Sequence, residues 1–270
     1  MNDTSSTPNR TPLFAGMAAL ALLGAGGGYL YSQRSIDDAG GAQSARVAAE
    51  RAGAAAGMSE ADRLATEAVV RAYILEHPEI LTEAAQILEQ RALAKRLDSV
   101  GDALATAFAG ADDGNPQGDV TLVEFTDYNC GFCRSSVADV QKMIGADKNL
   151  RIVFREVPIL AASSREAAKW ALAAAKQGKH KAFHDAMFTG DKPSDASIQL
   201  AARKAGLDMA RAQSDANSDG VAAEIEANLA MMQKLGVGGT PTFIVGDQIM
   251  EGALGYDALK QAVATARKKS

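Results

Sequence analysis

Residues 120–133 read Val120-Thr121-Leu122-Val123-Glu124-Phe125-Thr126-Asp127-Tyr128-Asn129-Cys130-Gly131-Phe132-Cys133. The apolar run at its start predicts a buried strand, which turns through Thr126 to Asn129 directly into a thiol pair. The residues that follow, Ser135 to about Ile144, have helical character, so Cys130 is expected at a helix amino terminus. Unpaired backbone N–H groups and the helix dipole favour an anion there, and the anion is the form in which a thiol attacks a disulfide. Cys130 is therefore the expected nucleophile. Cys133, one turn inside the helix, is the expected resolving thiol that expels a mixed disulfide. These are the only two cysteines among 270 residues, so no disulfide framework exists to be built. A bridge across two intervening residues closes too small a loop to remove much unfolded-state entropy. The pair reads as a redox-active dithiol.

Glu124 lies six residues before Cys130 on an otherwise apolar strand. Burial would raise its pKa and make it a proton acceptor for Cys133, directly or through a water. Strand alternation leaves a solvent-facing carboxylate equally open, because Val123 and Phe125 are both apolar. A metal site is the competing reading of the thiol pair. His180 and His184 have the i, i+4 spacing of ligands on one helix face, and with the cysteines they would supply four donors. The 46 residues between Cys133 and His180 lie far outside compact zinc-finger spacing. Incidental copper(I) binding by the dithiol is softer-ligand chemistry and stays open.

Downstream, Arg151-Ile152-Val153-Phe154-Arg155 predicts a second strand, and a long helical region follows from about Ser164 to Leu235. A glycine-rich loop, Gly236-Val237-Gly238-Gly239-Thr240-Pro241, then enters the strand Thr242-Phe243-Ile244-Val245. A short return around Ile249 and a final helix from about Tyr256 complete an α/β order whose helical block is too long for a simple crossover.

Upstream, no residue between Arg10 and Arg34 is charged, and Leu13 to Tyr31 just meets the length for crossing a bilayer. Residues 1–34 are expected to be an uncleaved membrane anchor or a cleaved signal, either of which implies export. Residues 35–57, rich in Ala and Gly, read as a linker. Residues 58–110 read as helical, with Ser59 as N-cap and Pro78 separating two helices. The second is expected to run from Pro78 to near Phe108. Its stripe of Leu93, Leu97, Val100, Leu104 and Phe108 suits either a coiled-coil seam or packing on the protein's own core. Gly110 to Gly118 reads as a break before the next domain. A net charge of −5 provides no polycationic face for nucleic acid.

Together, Glu124-Phe125-Thr126-Asp127-Tyr128, the Cys130-Gly131-Phe132-Cys133 centre and Gly239-Thr240-Pro241-Thr242-Phe243 resemble the DsbA-like branch of the thioredoxin superfamily. The resemblance covers about Asp119 to Ser270. It implies a thioredoxin fold with a helical insertion at about 164–235 and a cis-proline loop, matched by Thr240 and Pro241, that lies against the cysteines and helps bind substrate together with Gly131 and Phe132. Phe183-His184-Asp185-Ala186-Met187-Phe188 also looks like a recurrent helix of the insertion, which favours a structural role for His184. The earlier Tyr73-Ile74-Leu75-Glu76-His77-Pro78-Glu79-Ile80-Leu81 is similar to the amino-terminal region of the suppressor-of-copper-sensitivity protein C group, whose members can oligomerise through it.

The implied activity is thiol:disulfide exchange with exported proteins in a bacterial periplasm, recycled by a membrane redox partner and needing no organic cofactor. Gly131-Phe132 departs from the Pro-His of the family's oxidase and lies closer to the Gly-Tyr of disulfide isomerases, as does Thr240, so isomerase or reductase action is expected over oxidase. A chaperone-like or copper(I)-binding module with little turnover is the alternative.

Overall fold

The computed structural model describes residues 43–269. The expected anchor or signal at 13–31 lies outside the described residues. Among those described, no helix is long and apolar enough to cross a membrane. The chain divides into two compact units, Met1–Ala84 and Ala85–Ser270.

In the first unit, part of the expected linker is helical over 43–55 (α1). Helix α2 (Glu60–Glu76) opens on a reciprocal capping box in which Ser59 and Asp62 satisfy each other's backbone N–H groups. It closes at His77, where Pro78 disfavours further α geometry. None of its residues is buried, and Leu64, Val69, Val70, Tyr73 and Leu75 are exposed. Helix α3 (Glu79–Asp98) begins in this unit and continues into the second.

The expected continuation of α3 to Phe108 does not occur. The helix stops at Asp98, Gly101 takes a positive φ of 51°, and a 3-10 turn spans Gly101–Leu104. Leu97, Val100 and Leu104 pack against the second unit's own core, and Phe108 joins Ala168, Leu172, Val221 and Ile225. The carboxyl half of the stripe is therefore an internal packing face, and the boundary between units falls inside α3 rather than at 110–118. That supposed break contains a strand, β1 (Asp112–Gly114), paired antiparallel with β3 (Leu150–Glu156). Gly114 has φ +80°, and a Cβ there would lie 2.5 Å from the Leu150 carbonyl oxygen, so only glycine fits.

Five strands line up as β1-β3-β2-β4-β5, with β2 (Val120–Thr126) parallel to β3, and β4 (Thr242–Val245) and β5 (Gln248–Glu251) antiparallel. Helix α4 (Gly131–Ala146) makes the β2-to-β3 crossover. One sheet face, with Leu122, Ile152 and Phe154, packs on Val140 and Met143 of α4 and on Leu259 and Val263 of α10 (Tyr256–Lys269). The other, with Val123, Phe125 and Val153, packs on Met231, Met232 and Leu235. Burying each large apolar side chain contributes about 1.5–3 kcal/mol. Alternation along the strands places Glu124 with Leu122, and Glu156 with Phe154, on the α4 face.

The insertion comprises α5 (Ala162–Ala175), α6 (His180–Thr189), α7 (Asp195–Lys204), α8 (Met209–Ala216) and α9 (Asp219–Lys234). Helix α5 buries Ala167, Ala168, Ala171, Ala173, Ala174 and Ala175, and these small side chains let α6, α7 and α8 approach it closely. Its core is shared with Tyr128, Cys130 and Cys133, which joins the insertion to the thiol pair.

Candidate active site

Cys130 is the N-cap of α4, with extended backbone, and its Sγ accepts from the Cys133 N–H at 3.4 Å. The same sulfur donates to the Thr240 carbonyl at 3.0 Å, so the loop before β4 lies directly against the nucleophile position. The Thr240–Pro241 peptide is cis, and the Thr242 hydroxyl, bonded to the Gly239 carbonyl at 2.8 Å, fixes the loop. Both cysteines are free thiols, and Cys133 is fully buried. Phe132 between them is 68% exposed, and the space beside Gly131 is open. The dithiol thus presents a small, partly aromatic surface to an incoming chain, with one sulfur in front and the other behind.

The turn ahead of Cys130 is held by Asp127. Its carboxylate accepts from Asn129 N–H at 2.8 Å and, on its other oxygen, from the Ile159 and Leu160 N–H groups at 2.9 and 3.0 Å. The Asn129 side chain then reaches the hydroxyls of Ser163 and Ser164 at the start of α5. Arg134 ties α4 to the end of α6 through the Phe188 and Gly190 carbonyls.

Behind the sulfurs, Glu124 is 2% exposed. It therefore does not face solvent. Burial, reinforced by the negative charge of Glu156, raises its pKa to about 8. The Cys133 thiol is also raised well above its ordinary value, first by burial and then by the Glu124 charge, against the opposing Asp127 N–H and Thr126 hydroxyl. A buried acid and a buried thiol that sense each other's charge can exchange a proton within a water-poor site.

His180 and His184 are brought together, but not with the cysteines. Both are buried beside Glu156, and the ligand atoms of these three side chains lie within 4.8 Å of one another. Glu156 Oε1 accepts from the Tyr128 hydroxyl at 3.0 Å and lies 3.1 Å from His180 Nε2, while Tyr128 Oη is 3.2 Å from His184 Nδ1. Burial lowers the His184 pKa well below its ordinary value. The four-donor zinc arrangement of cysteines and histidines is absent among the described residues. Sequence reasoning missed Glu156 and Tyr128. The available signal was the charge at Glu156, two residues past Phe154 and at the same strand parity, which points it to the α4 face.

Residues 121–264 match the model of the DSBA-like thioredoxin domain, and residues 62–95 match that of the copper resistance protein ScsC N-terminal domain. A thioredoxin-like oxidoreductase from Silicibacter pomeroyi is 44% identical, with a TM-score of 0.60, over 63% of this chain and 98% of that one. A linker-deletion variant of Proteus mirabilis ScsC is 27% identical, with a TM-score of 0.62, over 79% and 98%. The thiol-disulfide exchange protein alpha-DsbA2 of Wolbachia pipientis is 28% identical, with a TM-score of 0.61, over 68% and 98%. The Na(+)/H(+) antiporter NhaA 3 of Salinispora tropica matches at 29% identity over 54% of this chain and 23% of its own, so the chain spans about a quarter of the length of the curated relatives it matches. With its thiol pair at the head of α4, its cis-proline loop against Cys130 and a family match over more than half its length, the chain belongs to the DSBA-like thioredoxin domain family.

Proposed function

We propose that this chain is an exported thiol:disulfide oxidoreductase that exchanges disulfides with protein substrates through Cys130 and Cys133. The observation that carries the reading is the placement of Cys130 Sγ between the head of α4 and the Thr240 carbonyl, with Cys133 buried one turn behind. In the reducing direction, the Cys130 thiolate attacks a substrate disulfide, forming one S–S bond as another breaks and releasing a substrate thiolate. Cys133 then gives its proton to Glu124 in its ionised form and attacks Cys130 Sγ, the mixed disulfide breaks, and the second substrate thiolate leaves. Two electrons pass from the dithiol to the substrate. In the oxidising direction a substrate thiolate attacks the Cys130–Cys133 bridge, and Glu124 protonates the departing Cys133. The two sulfurs carry the electrons, so the exchange needs no organic cofactor; an adventitious copper(I) ion on the reduced pair would block it.

Phe132 and the open space at Gly131 suit an extended or unfolded chain better than a small disulfide, and Thr240 and Pro241 would line its path. Isomerase or reductase action is favoured over oxidase, and self-association supports that lean, because several dithiols facing one substrate raise the effective concentration of attacking thiols. The support for self-association is the exposed apolar surface of α2 and the start of α3, including Val69, Tyr73, Leu75 and Leu81. Tethering by residues 13–31 to the periplasmic side of an inner membrane, with a membrane redox partner restoring the dithiol, completes the reading.

Known dithiol potentials span roughly 150 mV, equivalent to about 7 kcal/mol. The test is insulin reduction and refolding of a scrambled-disulfide substrate, beside a glutathione redox titration. Activity in both that disappears in Cys130→Ser is the expected result. Client protection that survives in Cys130→Ser without any exchange would replace the reading with a chaperone.

A further inference from the structure

Two carboxyl groups are buried on one face of adjacent parallel strands beneath the thiol pair. Glu124 of β2 lies opposite Phe154 of β3, and Glu156 lies opposite Thr126, so the two are diagonal neighbours on the α4 side of the sheet. Their surroundings differ sharply. Glu156 accepts a hydrogen bond from the Tyr128 hydroxyl and faces His180 Nε2, and it is 1% exposed. At Glu124 only burial and the Glu156 charge act on the carboxyl's pKa, with no hydrogen bond among the causes. Two like charges that close in a low-dielectric interior cannot both form readily, so one carboxyl keeps its proton. Burial raises the pKa of both, but only at Glu156 do the His180 contact and the Tyr128 hydrogen bond oppose it, which favours the charge on Glu156 and the proton on Glu124.

The remaining groups around the pair are Cys133 of α4, Asp127 and Tyr128 of the turn after β2, and His180 and His184 of α6. Asn228 of α9 donates to the Glu156 carbonyl and not to its carboxylate. Glu156, His180 and His184 have the composition of a metal-ligand set. However, the Tyr128 and His180 contacts already occupy Glu156 Oε1, and His180 Nδ1 lacks the partner that would orient a ligating imidazole.

We infer that Glu156, clamped by Tyr128 and His180, is a positioning residue for exchange: its buried charge holds the proton on Glu124 and so sets the pH range in which Glu124 passes a proton to or from Cys133. This rests on the exchange reading above, and it extends the control of the thiol pair from the strand beside it to the second strand and to α6.

The test is a pH titration of the glutamate side-chain carboxyl carbons by ¹³C NMR on the reduced protein, with signals assigned through bonds, in parallel with the pH profile of mixed-disulfide resolution. In the parent protein the Glu156 signal is expected to titrate at lower pH than that of Glu124. In Glu156→Gln the Glu124 midpoint is expected to fall by about one pH unit, a tenfold change in its protonation ratio, and the resolution profile should move the same way. In a Glu124→Gln background, Glu156→Gln should leave the profile where Glu124→Gln alone puts it. The inference is overturned if Glu124 loses its proton first, if its midpoint ignores Glu156→Gln, or if the profile shift survives in the Glu124→Gln background. The titration order in the parent protein decides the matter even if Glu156→Gln does not fold. Absence of exchange in the parent at every pH would instead remove the functional reading and leave the titration order to be judged separately.

Discussion

At the scale of the residue, the proposed exchange divides between Cys130, at the head of α4, and Cys133, fully buried one turn behind it. Cys133→Ser removes the resolving thiol while leaving Cys130 at the head of α4. It is expected to accumulate mixed disulfides with reduced or scrambled clients, visible as adducts in intact-mass spectra and cleared by dithiothreitol; a spectrum without adducts would count against the assigned roles. Glu124 allows a thermodynamic test as well. Its carboxyl ionises near 4.5 in an unfolded chain and near 8 in the folded protein. Between those values the unfolded state has released a proton that the folded state retains, so this group's contribution makes stability fall as pH rises. Glu124→Gln is therefore expected to be more stable than the parent by on the order of 3 kcal/mol at pH 7, and equal to it near pH 4. Urea unfolding of both proteins at the two pH values measures this, and a gain independent of pH would contradict it. The position of Glu124 before Cys130 was readable in the chain; its burial was not, because both of its neighbours are apolar and neither face of the strand was marked as wet.

At the scale of the element, local signals placed most boundaries. Ser59 with Asp62 marks the start of α2, and Pro78 marks its end. Ser59→Ala should lower the helicity and stability of the amino-terminal unit by about 1 kcal/mol, as followed by circular dichroism, with little effect on exchange. The edge strand β1 was invisible locally, since Asp112-Asp113-Gly114 has neither apolar alternation nor β-branched residues. It forms because β3 offers an open edge, and because Arg151 reaches Asp112 at 2.7 Å. Gly114→Ala combines a positive φ with a clash against the Leu150 carbonyl. A loss of more than about 1 kcal/mol in the unfolding free energy of the catalytic unit is expected, and unchanged stability would show that β1 is dispensable. The helix expected to continue past Asp98 shows the converse failure. Leu97, Val100 and Leu104 keep helical spacing on paper, but the core of the second unit packs against all three, with the chain turning at Gly101 between Val100 and Leu104.

At the scale of the whole molecule, apolar surface is distributed unequally. The second unit buries most of its large apolar side chains, with Phe132 among the exceptions, whereas α2 and the first turn of α3 leave Leu64, Val69, Val70, Leu75 and Leu81 exposed. Such a surface calls for a partner, and a second copy of the chain is the proposed one. Val69→Glu with Leu75→Glu is expected to reduce the mass measured by light scattering to that of a monomer, lower scrambled-substrate refolding several-fold and leave insulin reduction nearly intact. A monomeric parent would remove the premise. The amino acids alone determined the α/β class, the thiol pair, its place at the head of a helix and the long helical block, because these follow from period, spacing and the backbone at a helix end, all local in the chain. Tertiary structure alone decided that Glu124 lies in the interior, that Glu156, Tyr128, His180 and His184 meet there, and that the end of the α3 stripe belongs to the core. The reason is physical: the cost of ionising a carboxyl depends on everything packed around it, and those neighbours come from segments 28 residues apart for Tyr128 and Glu156 and 56 for Tyr128 and His184.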